Sequence, residues 1–340
     1  MGGASATALY ERAFDSDAMD SRVFLVTGGA GFIGSHICEY LLCHGAAEVR
    51  ALDNLSEGKL ENIRPWLEKT GFQFIEGDIT DPATCAMACA NVDYVSHQAA
   101  LGSVPRSVET PLATNAANVT GFLNILTAAN AAGVRRFVYA SSSSVYGDST
   151  ELPKKEDATG KPLSPYAVSK LVNEIYGSVF ARIYGTEVIG LRYFNVFGPR
   201  QKPDGPYAAV VPLFMDALLR GQSPCINGDG EQSRDFTFVA NVVEANIRAM
   251  FTDVTGACDR VYNVACGQRQ TINELYRMLR ILTGSDVEAA HLEPRTGDVR
   301  DSLADISLAR EFLGYDPKFD VNSGLAITLD WFRQQFHSTS

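Results

Sequence analysis

Apolar and polar positions in the first half of the chain repeat with two alternating periods. Val23 to Val26 is a short unbroken apolar run, which suits a strand buried on both faces. Phe32 to Leu42 has helical length and no proline, so it predicts a helix. Further strands are expected at Glu48–Asp53, Phe72–Glu76, Asp93–Gln98 and Arg135–Ala140. A capped helix is expected over Asp81–Ala90 and a long one over Asn115–Ala132. Strands alternating with helices predict an α/β fold with a parallel, doubly wound sheet.

The pattern changes after Ser141. Residues 141–164 are polar and turn-rich, and Pro165 stands where a helix begins that runs to about Tyr184. Thr186–Leu191 reads as another strand. From Asn195 onward the chain is rich in loops, with helices expected over Ala208–Leu219, Val239–Met250, Thr271–Leu282 and Ile306–Leu313. The expected organisation is a flexible tail (1–21), a main domain (22–192) to which segments near 233–265 return, and a smaller C-terminal α/β lobe (193–340).

Composition narrows the class. The 340 residues are enough for two lobes, and 46% hydrophobic content is normal for a globular protein. A net charge of −11 argues against nucleic acid or an anionic membrane as partner. No apolar run reaches membrane-span length, and residues 1–20 lack the basic start and apolar core of a signal peptide. The seven cysteines include no C-x-x-C pair; Cys85 and Cys89 read as helix packing residues. The five histidines form no metal-spaced set, so no metal is expected. This cysteine usage suits a reducing, cytoplasmic setting.

Candidate chemistry begins after the first strand. Gly28, Gly31 and Gly34 lie between it and the first helix. Such a turn lets the backbone approach a pyrophosphate, with unpaired helix N–H groups pointing at it. Asp53 ends the second strand about twenty residues on, where a carboxylate accepts from an adenosine ribose and repels a 2′-phosphate, favouring NAD. A turn residue before Asn54 is the plainer reading. Asp78 is placed to reach an adenine amino group, although turn chemistry explains it nearly as well. Ala99 and Ala100 are small enough for close cofactor approach, or for a simple tight turn.

Tyr166 and Lys170 stand four apart at the start of a helix and share a face. An ammonium about 4 Å from the phenol, at an effective dielectric near 20, contributes roughly 4 kcal/mol. That is about three pKa units, enough to bring the phenol toward neutrality. Ser141 to Ser144 add hydroxyl groups at the end of the preceding strand, beside the same cleft.

With these residues in place, Thr27 to Gly34, Asp53-Asn54, Ser141 to Gly147 and Tyr166-x-x-x-Lys170 resemble the extended short-chain dehydrogenase/reductase family. Arg192 to Pro199 and Ser233 to Phe236 extend the likeness into the second lobe. His97 to Ser107, Tyr207 to Pro212 and Gly297 to Arg300 are most similar to bacterial UDP-N-acetylglucosamine 4-epimerases of polysaccharide biosynthesis. The resemblance spans residues 22 to about 335.

The resemblance implies a Rossmann-type NAD domain and an isomerase that epimerises a UDP-sugar at C4 through a 4-keto intermediate. Tyr166 would take the proton of the 4-hydroxyl, Ser142 would bond the same oxygen, and Lys170 would hold the nicotinamide ribose. Phe32, Ile33, Asn54, Ile79, Gln98 and Asn118 would complete the cofactor wall. Ser103, Ser143 and Asn195 would contact sugar and phosphate; Ala209, Val210 and Asn227 would line the uridine end. Arg234 and Arg295 would meet the diphosphate. Relatives also imply a homodimer, with Val119, Phe122, Leu123 and Leu126 as a candidate apolar face, indistinguishable in sequence from internal core.

Two departures narrow the reaction further. Dehydrating relatives carry Asp-Glu where Ser143-Ser144 stand, and uronate decarboxylases carry Glu at the position of Ser144. Elimination needs such an acid. Ser302 stands where glucose-restricted 4-epimerases carry a bulky Tyr, leaving room for a 2-N-acetyl group unless it is only a rim serine. The expected reaction interconverts UDP-GlcNAc and UDP-GalNAc. Alternatives are the same epimerisation on UDP-glucose or on a uronic acid, with Arg106 or Arg300 facing the carboxylate, and a non-catalytic NAD sensor.

Overall fold

Seven parallel strands carry the architecture of this computed structural model, which describes residues 9–10, 19–203, 208–293 and 300–338. In chain order come β1 (Val23–Thr27), α1 (Phe32–Cys43), β2 (Glu48–Asp53), β3 (Phe72–Glu76), α2 (Pro82–Cys89) and β4 (Tyr94–His97). Then come α3 (Val104–Glu109), α4 (Pro111–Asn115), α5 (Phe122–Ala131), β5 (Arg136–Ser142), α6 (Pro165–Tyr184) and β6 (Val188–Tyr193). The rest of the chain adds α7 (Val210–Leu219), α8 (Val239–Phe251), α9 (Ile272–Thr283), α10 (Ser307–Leu313) and α11 (Val321–Ser338). Across the sheet the order is Arg260–Val264, β6, β5, β4, β1, β2, β3.

Alternate side chains of each strand enter two cores. Phe24 and Val26 of β1 join the core under α1 and α8, while Leu25 joins Phe122, Leu126 and Phe137 on the α2–α5–α6 side. Cys85 and Cys89 are packed in the latter core, and all seven cysteines are free thiols. Among the described residues, no helix is long and apolar enough to cross a membrane, and no cluster of His, Cys, Asp or Glu could hold a metal.

Three local expectations need correction. The single long helix over Asn115–Ala132 is instead α4 running through a wide π-type turn, Ala116–Gly121, into α5. Gly121 approaches Ile79 so closely there that a Cβ would lie 2.6 Å from its side chain. Secondly, Phe122 and Leu126 are fully buried core, not an outer face. Lastly, the tail is not free at Tyr10 and Met19, which are both buried; the Tyr10 ring lies edge-on against Tyr40 of α1.

Candidate active site

The strand order reverses between β1 and β4, so a crevice opens beyond their carboxyl ends. A cleft of about 890 Å³ occupies that place. Gly28, Gly31, Phe32, Ile33 and Gly34 form one wall. Gly28 has φ +67°, and a Cβ on it would lie 2.8 Å from the Ala99 nitrogen. At Gly31 a Cβ would meet only Gly28 and otherwise open space. Gly31 is also the N-cap of α1 and caps it with no side chain, leaving first-turn N–H groups for an anion. The cradle therefore fits a pyrophosphate.

Asp53 closes this wall. Its Oδ2 accepts from Ala30 N at 3.0 Å and its Oδ1 from Leu55 N at 2.8 Å. Burial raises its pKa against those backbone bonds. Asp78 accepts from Asn54 Nδ2 and from Thr80; partial burial pushes its pKa up, but these bonds outweigh it and hold the carboxyl below its ordinary range. Both acids line the cleft with Asn54 and Ile79. Gln98, Ala99 and Ala100 continue the wall beyond β4. Gln98 donates to Ser96 Oγ and Asn246 Oδ1 and accepts from Tyr193 Oη, so its amide is fixed on both sides.

The reactive end is built by β5 and α6. Ser164 caps α6 by accepting from Ala167 N at 3.1 Å, and Pro165 starts the helix. Tyr166 and Lys170 consequently face the end of β5, where Ser142 hydrogen-bonds Tyr166. Lys170 Nζ donates to Ala140 O at 2.8 Å and lies 5.9 Å from the centre of the Tyr166 ring. This corrects the expected electrostatics. Burial raises the Tyr166 pKa, and only the Ser142 bond opposes it. Burial also pushes Lys170 down to about 8, against the pull of Glu174, and one of its N–H groups is held by a carbonyl.

Glu174 and Arg192 were not expected here. Glu174, one turn beyond Lys170, accepts from Ser141 Oγ at 2.5 Å and from Arg192 Nε and Nη2 at 2.9 and 2.8 Å. Both charges are buried. The available signal was spacing, since Glu174 repeats the four-residue step from Tyr166 to Lys170.

Ser103, Ser143, Asn195 and Ala209 line the outer part of the cleft. A smaller cavity of about 240 Å³ shares Asn195 and Ala209 with it and adds Val210, Asn227 and Arg234. Arg295 lies outside the described residues. Two expected contacts line neither cavity. Asn118 is consumed internally: its Oδ1 accepts from Leu101 N at 2.7 Å, and its Nδ2 donates to Leu101 O and Ser169 Oγ. These bonds hold the loop after Ala100. Ser302 is 8% exposed, with its backbone N bonded to Ser233 O, so it is a packing residue of the second lobe. Arg300, 62% exposed, pairs with Asp229, and Arg106 pairs with Glu57 on the cleft wall.

A glycine cradle at a topological switch point, with a Ser–Tyr–Lys set at its far end, marks a Rossmann-type dinucleotide-binding fold. Residues 24–265 match the family model described as the NAD dependent epimerase/dehydratase family. The UDP-glucose 4-epimerase of Mycolicibacterium smegmatis is 39% identical over 313 residues, which is 92% of this chain and 98% of that relative. Among solved structures, the UDP-N-acetylglucosamine 4-epimerase of Methanobrevibacter ruminantium, in complex with UDP-N-acetylmuramic acid, is 41% identical. It has a TM-score of 0.88 and covers 93% of this chain and 100% of its own. The Thermus thermophilus UDP-glucose 4-epimerase in complex with NAD is 37% identical, with a TM-score of 0.82, covering 92% and 99%. The chain belongs to the NAD dependent epimerase/dehydratase family; it is an enzyme and its cofactor is NAD.

Proposed function

We propose that the chain is a UDP-sugar 4-epimerase that interconverts UDP-GlcNAc and UDP-GalNAc. The observation that carries the reaction type is the set of acids on the cleft. Among the described residues its wall carries Asp53, Glu57 and Asp78. These hold the glycine loop, Arg106, and Asn54 with Thr80, respectively. Beside Tyr166 stand hydroxyls instead: Ser142 and Ser143 line the cleft, and Ser144 Oγ is buried without a hydrogen-bond partner. A dehydration needs an acid there to protonate the departing hydroxyl. Beyond the hydride transfer to NAD, a C4 epimerisation asks of the side chains only proton exchange at one oxygen.

When bound, NAD would supply a hydride acceptor at C4, and return of the hydride to the opposite face of the turned 4-keto sugar would invert C4 with no net redox change. Tyr166 Oη takes the proton of the 4-hydroxyl and gives it back to the 4-keto oxygen. Ser142 Oγ orients that oxygen and shares the phenol hydrogen bond. Lys170, anchored on Ala140 O, presents its remaining N–H groups to the nicotinamide ribose. Arg234 lies in the smaller cavity, where a diphosphate would suit its guanidinium.

UDP-glucose is the second reading. Ser302 lines neither cavity, which removes the volume argument for an N-acetyl group, and the M. smegmatis relative is a UDP-glucose 4-epimerase. Incubating the purified protein with UDP-GlcNAc, and separately with UDP-glucose and UDP-GlcNAc uronic acid, tests these readings by NMR. The C4 isomer of UDP-GlcNAc is expected to form. Isomerisation of another sugar alone keeps the mechanism and moves the substrate. Silence with all three, with NAD added, overturns the reading.

Two copies pair in this reading through the outer faces of α4 and α6. Leu112 of α4 is 86% exposed, and Val168 and Ile175, two turns apart on α6, are exposed as well. Ile175→Asp together with Leu112→Asp is expected to convert a dimer to a monomer in light scattering. Unchanged mass would exclude this face. Seven free thiols support a reducing, cytoplasmic setting.

A further inference from the structure

Tyr10 stands outside the sheet and outside the cleft, yet it is 1% exposed. Its ring lies edge-on to Tyr40 and His36 of α1, with centroids 5.8 and 6.0 Å away. Its carbonyl is 2.8 Å from His44 Nε2. Its hydroxyl is 2.9 Å from His36 Nδ1, and His36 Nε2 is 3.0 Å from Pro199 O. A carbonyl oxygen only accepts, so Nε2 carries the proton. Burial and the nearby Arg200 charge keep His36 neutral, so Nδ1 accepts and Tyr10 donates. The relay thus runs in one direction, from the N-terminal segment through α1 to Pro199.

The three residues after Pro199 give the relay its purpose. Arg200 pairs with Glu39, donates to Ser35 Oγ and lies over the Trp66 ring at 5.4 Å. Arg200, Gln201 and Lys202 then line the same cleft as Gly31 and Phe32. Phe32 packs edge-on against His36, with centroids 6.1 Å apart. His36 therefore contacts Phe32 of one cleft wall and Pro199, the residue that leads into the other.

We propose that Tyr10 is a positioning residue for the cofactor: through His36 it fixes Pro199 and the Arg200–Lys202 wall against α1, and so slows NAD release. The test is the dissociation rate of NAD from the full-length loaded protein, followed after dilution into a dehydrogenase that traps free NAD. Tyr10→Phe removes one hydroxyl and is expected to release NAD about fivefold faster, the effect of one net buried hydrogen bond. A chain lacking residues 1–12 is expected to release it faster still. Tyr10→Phe added to His36→Gln is expected to add nothing further, because one relay joins them. Melting curves accompany each variant. A lower melting temperature with wild-type NAD release would assign Tyr10 to packing alone and overturn the proposal. Wild-type release from folded Tyr10→Phe and from the shortened chain would overturn it equally. This readout is independent of which sugar the enzyme takes.

Discussion

Tyr166→Phe is expected to lower kcat by about 10²- to 10⁴-fold, the usual contribution of a positioned acid–base group. The variant keeps the ring, so NAD content and melting temperature should stay at wild-type values. What it loses is the oxygen that Ser142 bonds and that burial has shifted upward. Upward is the informative direction. A phenol with a raised pKa is mostly protonated near neutrality, so wild-type kcat/KM should climb as the pH rises. Lys170, held at about 8, loses its charge above that value, so the climb should bend over there. The residual rate of Tyr166→Phe should lack the climb. Steady-state rates from about pH 6 to about 9.5, a span that crosses the Lys170 titration and stays below that of the phenol, check both points. A variant within tenfold of wild type would remove Tyr166 from proton transfer.

Glu174→Leu is expected to destabilise the protein by about 3–5 kcal/mol, measured by urea unfolding. The cost arises from the partner left behind. Arg192 is buried, and two of its donors point at the Glu174 carboxylate. Removing that carboxylate strands a guanidinium away from water. Arg192→Met with Glu174→Leu should recover much of the loss, because no charge is then left unpaired. A single replacement costing under about 1 kcal/mol would show that the pair is solvated in practice. Activity should fall alongside stability, since Ser141 and Lys170 adjoin the pair in chain and space.

Six of the seven sheet strands were legible because each is short, mainly apolar and closed by polar turn residues; Arg260–Val264, which joins the edge from far along the chain, was not foreseen as a strand. The glycine cradle and the Tyr166–Lys170 face were legible for a related reason: their meaning lies in local spacing. Asn118 misleads because its partners, Leu101 and Ser169, are distant in sequence and its type suits a cofactor contact equally well. Ser302 misleads in the same way, since its place beside Ser233 depends on a distant segment meeting the short strand Ser233–Arg234. The Tyr166 electrostatics were not legible because spacing places two side chains on one face without saying which carbonyl accepts the lysine hydrogen bond. Phe122 and Leu126 show the limit of an apolar stripe, which reads alike whether it meets a sheet or a second molecule.

The strand Arg260–Val264 pairs with β6 only after the chain has left the sheet and built α7 and α8. Almost every residue of α8 is buried, against α1 and the sheet. The part of the molecule that faces the sugar is therefore not an appendix. Its first stretch, residues 194–259, is an excursion tethered at both ends to the nucleotide platform, while the stretch after Val264 is tethered at one. A single break between residues 193 and 260 would leave one fragment with β6 as a raw edge and the other holding an orphaned strand. Such a fold can change its diet by rewriting that excursion piece by piece, but it cannot trade the whole lobe for another.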